Sequence, residues 1–217
     1  GTVGPKVWHE SGSVMWPLLD KYQRDGYESM LRIASKWNGA FLCDGVGLGK
    51  TYVGLMLIER LAEYEGKNVL LLTPKSAHGA VWVPELESRL TDLGGWVTNF
   101  KHMTHSSLTT KKHLSKWDKA KNKFDAAIID EAHHFRNHDS QKYEKLLEFI
   151  NEGRKKDVFF LTATPINNSV HDLKNMIHLF TGKDDKHFAR PPMAINSTNY
   201  HFRKLKSALN VVIQSEA

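Results

Sequence analysis

Cysteine is almost missing from this chain. The one present, Cys43, excludes an internal disulfide and suits a reducing compartment. No apolar run approaches the ~18 residues that a membrane-spanning helix needs. The first residues are polar and hold no apolar h-region, so a secretory leader is not expected in them. Internal repeats and low-complexity tracts are also lacking. Acidic residues are in the minority, with 24 Asp and Glu against 30 Lys and Arg, a net charge of +6 and a pI near 9.3. That balance favours an anionic partner such as nucleic acid.

What is present is an ordinary globular composition, 41% hydrophobic and 25% charged over 217 residues, enough for a buried core. Five short apolar runs recur, at 40–43, 69–72, 96–100, 126–129 and 158–161. They are continuous in apolar character rather than alternating, which suits strands buried on both faces of a parallel sheet. Helical stretches are expected at 17–36, 51–64, 76–91, 140–151 and 168–181, with Asn38-Gly39 ending the first and Gly153 able to close the fourth. Alternating strands and helices predict an α/β fold, a mostly parallel sheet with helices on both faces. Residues 1–16 read as irregular, held to the domain by Trp8 and Trp16; residues 182–198 read as loop, and a short helix is expected near 199–210.

Three motifs carry chemistry. The first is Cys43-Asp44-Gly45-Val46-Gly47-Leu48-Gly49-Lys50-Thr51, between an apolar run and an apolar helical stretch. Strand, glycine loop and helix in that order form the context of a phosphate-binding loop. Gly45, Gly47 and Gly49 let backbone N–H groups turn inward, and the helix N-terminus adds its positive dipole end. Lys50 can then reach the phosphates and the Thr51 hydroxyl can ligate Mg2+. The strict pattern has glycine where Asp44 stands. The second motif, Asp130-Glu131-Ala132-His133, ends an apolar strand, at the sheet edge where ligands of α/β folds bind. Asp130 is expected to hold Mg2+ and Glu131 to activate a water. The third, Leu161-Thr162-Ala163-Thr164-Pro165, is another strand exit. Its hydroxyls, Thr162 and Thr164, can bond to Glu131 or His133 and sense the phosphate.

As an ordered set these motifs resemble those of helicase superfamily two, and in detail the Swi/Snf-type DNA-translocating ATPases. Asp44 in place of glycine is usual in that family. Tyr22-Gln23 resembles its adenine-reading glutamine motif, and a Gln amide can both donate to and accept from adenine. Leu72-Thr73-Pro74-Lys75-Ser76 is similar to its first strand-contacting motif, although Trp82 and Glu85 follow one residue later than the family pattern. The resemblance covers about residues 17–181. It implies a RecA-like P-loop NTPase lobe that binds ATP and Mg2+, with Lys50, Asp130 and Glu131 catalytic. Gln23, Gly45, Gly47, Gly49, Lys50 and Thr51 would hold nucleotide, Thr51 and Asp130 the metal, and His133, Thr162 and Thr164 would couple the site to DNA.

Such motors close their site with a second lobe that brings an arginine. This chain has no room for one, so a first lobe cut from a longer protein is expected, with residues 182–217 beginning the link. The partner implied is double-stranded DNA, and the compartment is cytoplasmic, or nuclear in a eukaryote. Thr73, Lys75, His105 and Ser106 are the candidate nucleic-acid contacts. Two rival readings share the first-lobe motifs: a strand-separating helicase or restriction-enzyme motor, and a nucleotide-binding interaction module without motor action.

Other features read more plainly. His102 and His105, and His134 and His138, have helical spacing, but no cysteine or well-spaced carboxylate completes a zinc set. The basic run Lys111 to Lys123 can touch phosphates, but reads rather as a solvated helix face with Leu114 and Trp117 turned inward. Arg154-Lys155-Lys156 reads the same way.

Overall fold

A computed structural model describes residues 4–43, 45, 47, 49–91, 99–110, 114–163 and 170–215, with backbone alone at 114–116 and 209–215. Asp44, Val46, Leu48, Lys111 and Thr164 to Asn168 lie outside them. The elements, in chain order, are α1 (Pro5–Ser11), α2 (Lys21–Trp37), β1 (Gly39–Leu42), α3 (Lys50–Ile58), β2 (Val69–Thr73), α4 (Val83–Arg89), β3 (Phe100–Thr104), α5 (Leu114–Ala120), β4 (Ala126–Asp130), α6 (Gln141–Asn151), β5 (Asp157–Leu161), α7 (Val170–Thr181) and α8 (Thr198–Ser215).

The strands form one wholly parallel sheet in the order β1-β5-β4-β2-β3. Its central strands alternate between two cores, because successive side chains of a strand point to opposite faces. Val69, Leu71, Ala126, Ile128, Phe159 and Leu161 join the core shared with α2, α3 and α4. Leu70, Leu72, Ala127, Ile129, Val158 and Phe160 join the core shared with α5, α6 and α7. Both faces are covered, which is why these strands read as unbroken apolar runs.

Local chemistry sets the element ends. Asp20 and Gln23 form a capping box at the start of α2, and Asn38, at φ 64°, ends it in the left-handed conformation. Ser140 caps α6, its Oγ accepting from the Tyr143 N–H at 3.2 Å. Trp117 of α5 is buried, as the solvated-face reading expects, and its indole donates to the Ser107 carbonyl at 2.8 Å.

Four expectations need correction. β3 runs Phe100–Thr104, past the end of the expected 96–100, of which residues 96–98 lie outside the described ones. Among the described residues it is an edge strand paired with β2 alone, so it is only half buried and tolerates Lys101 and Thr104, which an apolar-run criterion passes over. The segment 1–16 is not wholly irregular: α1 starts on Pro5, whose fixed φ suits a first helical position. The C-terminal helix runs to Ser215 rather than residue 210. Lys156 is no solvated charge. It is 2% exposed, and its ammonium donates to the carbonyls of Lys121, Glu152 and Arg154 at 2.8, 3.0 and 2.7 Å.

Two predicted helices are interrupted by π turns. The 51–64 stretch is α3 followed by a π turn at Glu59–Tyr64. The 76–91 stretch is one α turn at Lys75–Ala77, a π turn at His78–Trp82, then α4. A π turn takes one more residue than an α turn.

Candidate nucleotide site

Because every strand is parallel, the carboxyl ends of β1, β4 and β5 open on the same edge. A cleft of about 370 Å3 lies there. Gly47, Gly49, Lys50, Thr51 and Tyr52 line it, with Asp130 and Glu131 from the end of β4, Ala77 and Val81 from the segment that leads into α4, and Glu85 from α4 itself.

The glycine loop needs its glycines for backbone shape. Gly47 has φ +84° and Gly49 φ +73°, conformations that side chains rarely adopt. Gly49 is also the N-cap of α3, and a Cβ there would stand 2.2 Å from Gln23 Nε2. The other end of that amide is held, since Gln23 Oε1 accepts from the Asp20 N–H at 2.8 Å. Gln23 is thus fastened by its helix cap and seated against the loop. Gly49→Ala is expected to lower nucleotide affinity at least tenfold while costing about 1–2 kcal/mol of stability. Nucleotide titration and urea unfolding of the variant check both, and an unchanged affinity would detach Gln23 and Gly49 from the site.

Lys50 opens α3, and its ammonium donates to the Gly45 carbonyl at 2.9 Å, across the loop. Asp130 is buried. Its Oδ2 accepts from the Trp82 indole at 2.7 Å and its Oδ1 from the Glu131 N–H at 3.0 Å. Burial raises its pKa above the usual carboxylate value, against the opposing pull of the indole hydrogen bond. Glu131 sits at φ 47°, ψ 48°, a left-handed conformation that costs a non-glycine residue on the order of 1 kcal/mol. Strained backbone of this kind concentrates at functional sites. His133 Nδ1 lies 3.0 Å from Glu131 Oε2 and 3.3 Å from Thr162 Oγ1. One imidazole therefore joins the acidic strand end to the exit of β5, where Thr162 is fully buried.

Sequence reasoning gave no role to Tyr52, which lines the cleft, or to Trp82 and Arg89, which back its lining residues. Arg89 Nη2 donates to the Tyr52 hydroxyl and its Nε to Glu85 Oε2, both at 2.6 Å. The Glu85–Arg89 pair has the i, i+4 spacing of a helical ion pair, the one local signal that could have pointed to Arg89.

The four candidate nucleic-acid residues separate into two kinds. Lys75 and Ser106 are exposed. Thr73 and His105 are not, and the expectation that their side chains touch a nucleic acid is corrected. The Thr73 side chain is 0% exposed, with its hydroxyl 2.9 Å from His102 Nε2. His105 is 4% exposed and packs edge-on against Phe135, with ring centroids 4.7 Å apart.

His105 gives a pH prediction. Burial, with the neighbouring His134 second, lowers its pKa from 6.5 to about 4, and its Nε2 has no hydrogen-bond partner among the described residues. Burial, with His78 stacked on it, takes His102 to about 3. Between these values and 6.5 the unfolded chain binds more protons than the folded one, so stability falls as pH falls from about 6.5 toward 4. The full effect at His105 is on the order of 3 kcal/mol. Urea midpoints at pH 7 and pH 5 check it, and His105→Leu should flatten the dependence.

Residues 18–167 match a family model described as type III restriction enzyme, res subunit. The chain is 32% identical over 189 residues to an uncharacterized ATP-dependent helicase, YqhH, of Bacillus subtilis, covering 82% of this chain and 31% of that protein. It is 26% identical over 200 residues to the human SWI/SNF-related matrix-associated actin-dependent regulator of chromatin subfamily A member 1, covering 78% and 18%. The Sulfolobus solfataricus SWI2/SNF2 ATPase core, solved in complex with dsDNA, superimposes with a TM-score of 0.61 at 21% identity, covering 87% of this chain and 42% of that one. The chain thus spans less than a third of the two curated relatives.

Proposed function

Because this chain belongs to the helicase family of the restriction-enzyme res subunit, with SNF2-type ATP-dependent helicases among its relatives, we propose that it is the ATP-binding first lobe of a Swi/Snf-like, DNA-dependent ATPase. In this reading residues 17–181 make the lobe and 182–217 lead toward a second one that closes the site. Joined to that lobe, it would hydrolyse ATP to move on duplex DNA, in a bacterial cytoplasm or a eukaryotic nucleus.

The observation that carries this reading is that Lys50 and Thr51 share one cleft with Asp130 and Glu131, at the carboxyl ends of parallel strands. The donor set fits Mg2+, which takes hard oxygen ligands. Thr51 and Asp130 offer them, and the burial that makes the Asp130 charge costly is relieved by a cation. When bound, Mg2+ would neutralise phosphate charge. Lys50 would release the Gly45 carbonyl and donate to phosphate oxygens. Gln23 would bond the adenine edge. Glu131 would orient a water and take its proton, held in place by His133, and Thr162 would pass changes at Glu131 on to β5. Lys75 and Ser106, both exposed, remain the candidates for phosphate contacts on DNA.

The test is a titration with a fluorescent ATP analogue and Mg2+, followed by phosphate release with and without duplex DNA. Mg2+-dependent binding with little turnover is expected, because the arginine of a second lobe is worth orders of magnitude in rate. Fast, DNA-stimulated turnover by a clean monomer would overturn the one-lobe reading. Failure to bind nucleotide at saturating Mg2+ would overturn the site.

A further inference from the structure

The buried Asp130 carboxylate is satisfied by a residue that none of the three motifs contains. The Trp82 indole donates to Asp130 Oδ2 at 2.7 Å, and Trp82 is itself 0% exposed. The far edge of the same ring lies against α3. A Cβ built on Gly54 would stand 2.5 Å from Trp82 Cη2, and 3.0 Å from Leu161 Cδ1 at the end of β5. Gly54 therefore leaves the space the indole occupies. One side chain bears both on the helix that follows the glycine loop and on the strand that ends at Asp130.

An indole N–H can only donate, so Trp82 cannot ligate a cation or take a proton. What it can do is hold a carboxylate. Asp130 Oδ2 is bonded to Trp82 and Oδ1 to the Glu131 N–H, so turning the carboxylate breaks a charge-assisted bond away from water. Each oxygen still keeps acceptor capacity toward the cleft. The contact depends on the π turn His78–Trp82, since an α-helical path would rotate the ring by roughly 100° per residue of offset. π turns inside helices are frequent at functional sites for this reason.

We propose that Trp82 is a positioning residue, which fixes the Asp130 carboxylate for the Mg2+ of the bound nucleotide and ties its place to that of the phosphate-loop helix. This rests on the reading of the cleft as a Mg2+–nucleotide site. A ring that only fills the core would affect stability and leave the metal requirement alone.

Trp82→Phe keeps most of the ring and removes the N–H. A fluorescent ATP analogue is titrated with Mg2+ at fixed nucleotide, for the wild type, Trp82→Phe and Lys50→Ala, with thermal melts alongside. The Mg2+ concentration for half-saturation should rise about tenfold in Trp82→Phe, the scale of one hydrogen bond to a charged group. Affinity at saturating Mg2+ should change little. Gly54→Ala, which pushes on the ring, should move the same half-saturation in the same direction. If wild type binds, Lys50→Ala does not, and Trp82→Phe needs no more Mg2+ than wild type, the positioning role is wrong and the site stands. If wild type binds no nucleotide, both fall. Should the Trp82 variant not fold, the indole N–H resonance of wild type decides. It is expected downfield of the other indoles and moved by Asp130→Asn; a resonance indifferent to that change overturns the proposal.

Discussion

Lys50→Ala should weaken Mg2+–nucleotide binding by at least about a hundredfold while leaving the fold intact. The ammonium is the cation that opens α3, at the end of the glycine loop, and it already reaches the Gly45 carbonyl at 2.9 Å. Bonds from an ammonium to phosphate oxygens are charge-assisted, each worth about 1.5–3 kcal/mol, so losing two of them exceeds a hundredfold. The stability cost should be small, because the residue is not part of either apolar core. Titration with a fluorescent ATP analogue, with a thermal melt as the control, measures both. Unchanged affinity would remove the basis for every nucleotide role assigned to this cleft.

Glu59→Ala should be the most destabilising single change outside the apolar core, by on the order of 3 kcal/mol. Glu59 begins the π turn after α3, and it is 1% exposed. Its carboxylate accepts from the Ser13 hydroxyl at 2.6 Å, the Val14 N–H at 2.5 Å and the Met15 N–H at 3.2 Å. Without it, two backbone donors and a hydroxyl lose their acceptor at the point where Met15 and Leu19 enter the core. Because the same segment leads to the Asp20–Gln23 capping box, nucleotide affinity should fall as well. Glu59→Gln, which keeps one acceptor oxygen, should cost clearly less. Urea midpoints decide; a loss under about 1 kcal/mol for Glu59→Ala would mean that the N-terminal segment is held by its aromatic rings instead. Those rings do pack closely: His9 stacks on Trp16 at 4.2 Å, and Trp8 meets Tyr64 at 4.7 Å.

The sequence by itself determined the sheet, its parallel sense, and the glycine loop and acidic strand end that line one cleft. Four of the five strands fall within a residue of their apolar runs, because strands covered on both faces must be apolar throughout. Glycines before Lys50 and paired acids after an apolar strand are local signals, since their chemistry depends on residues adjacent in the chain. What the tertiary structure decided are the contacts made across the chain: Trp82 with Asp130, Glu59 with residues 13–15, Gln23 against Gly49, and the burial of Thr73 and His105. None has a periodic trace, because each joins residues separated by an intervening strand or helix. The π turns belong to the same class. An extra residue in a helix leaves the apolar pattern almost unchanged, and only packing of the indole against Gly54 and its bond to Asp130 say which way the turn must widen.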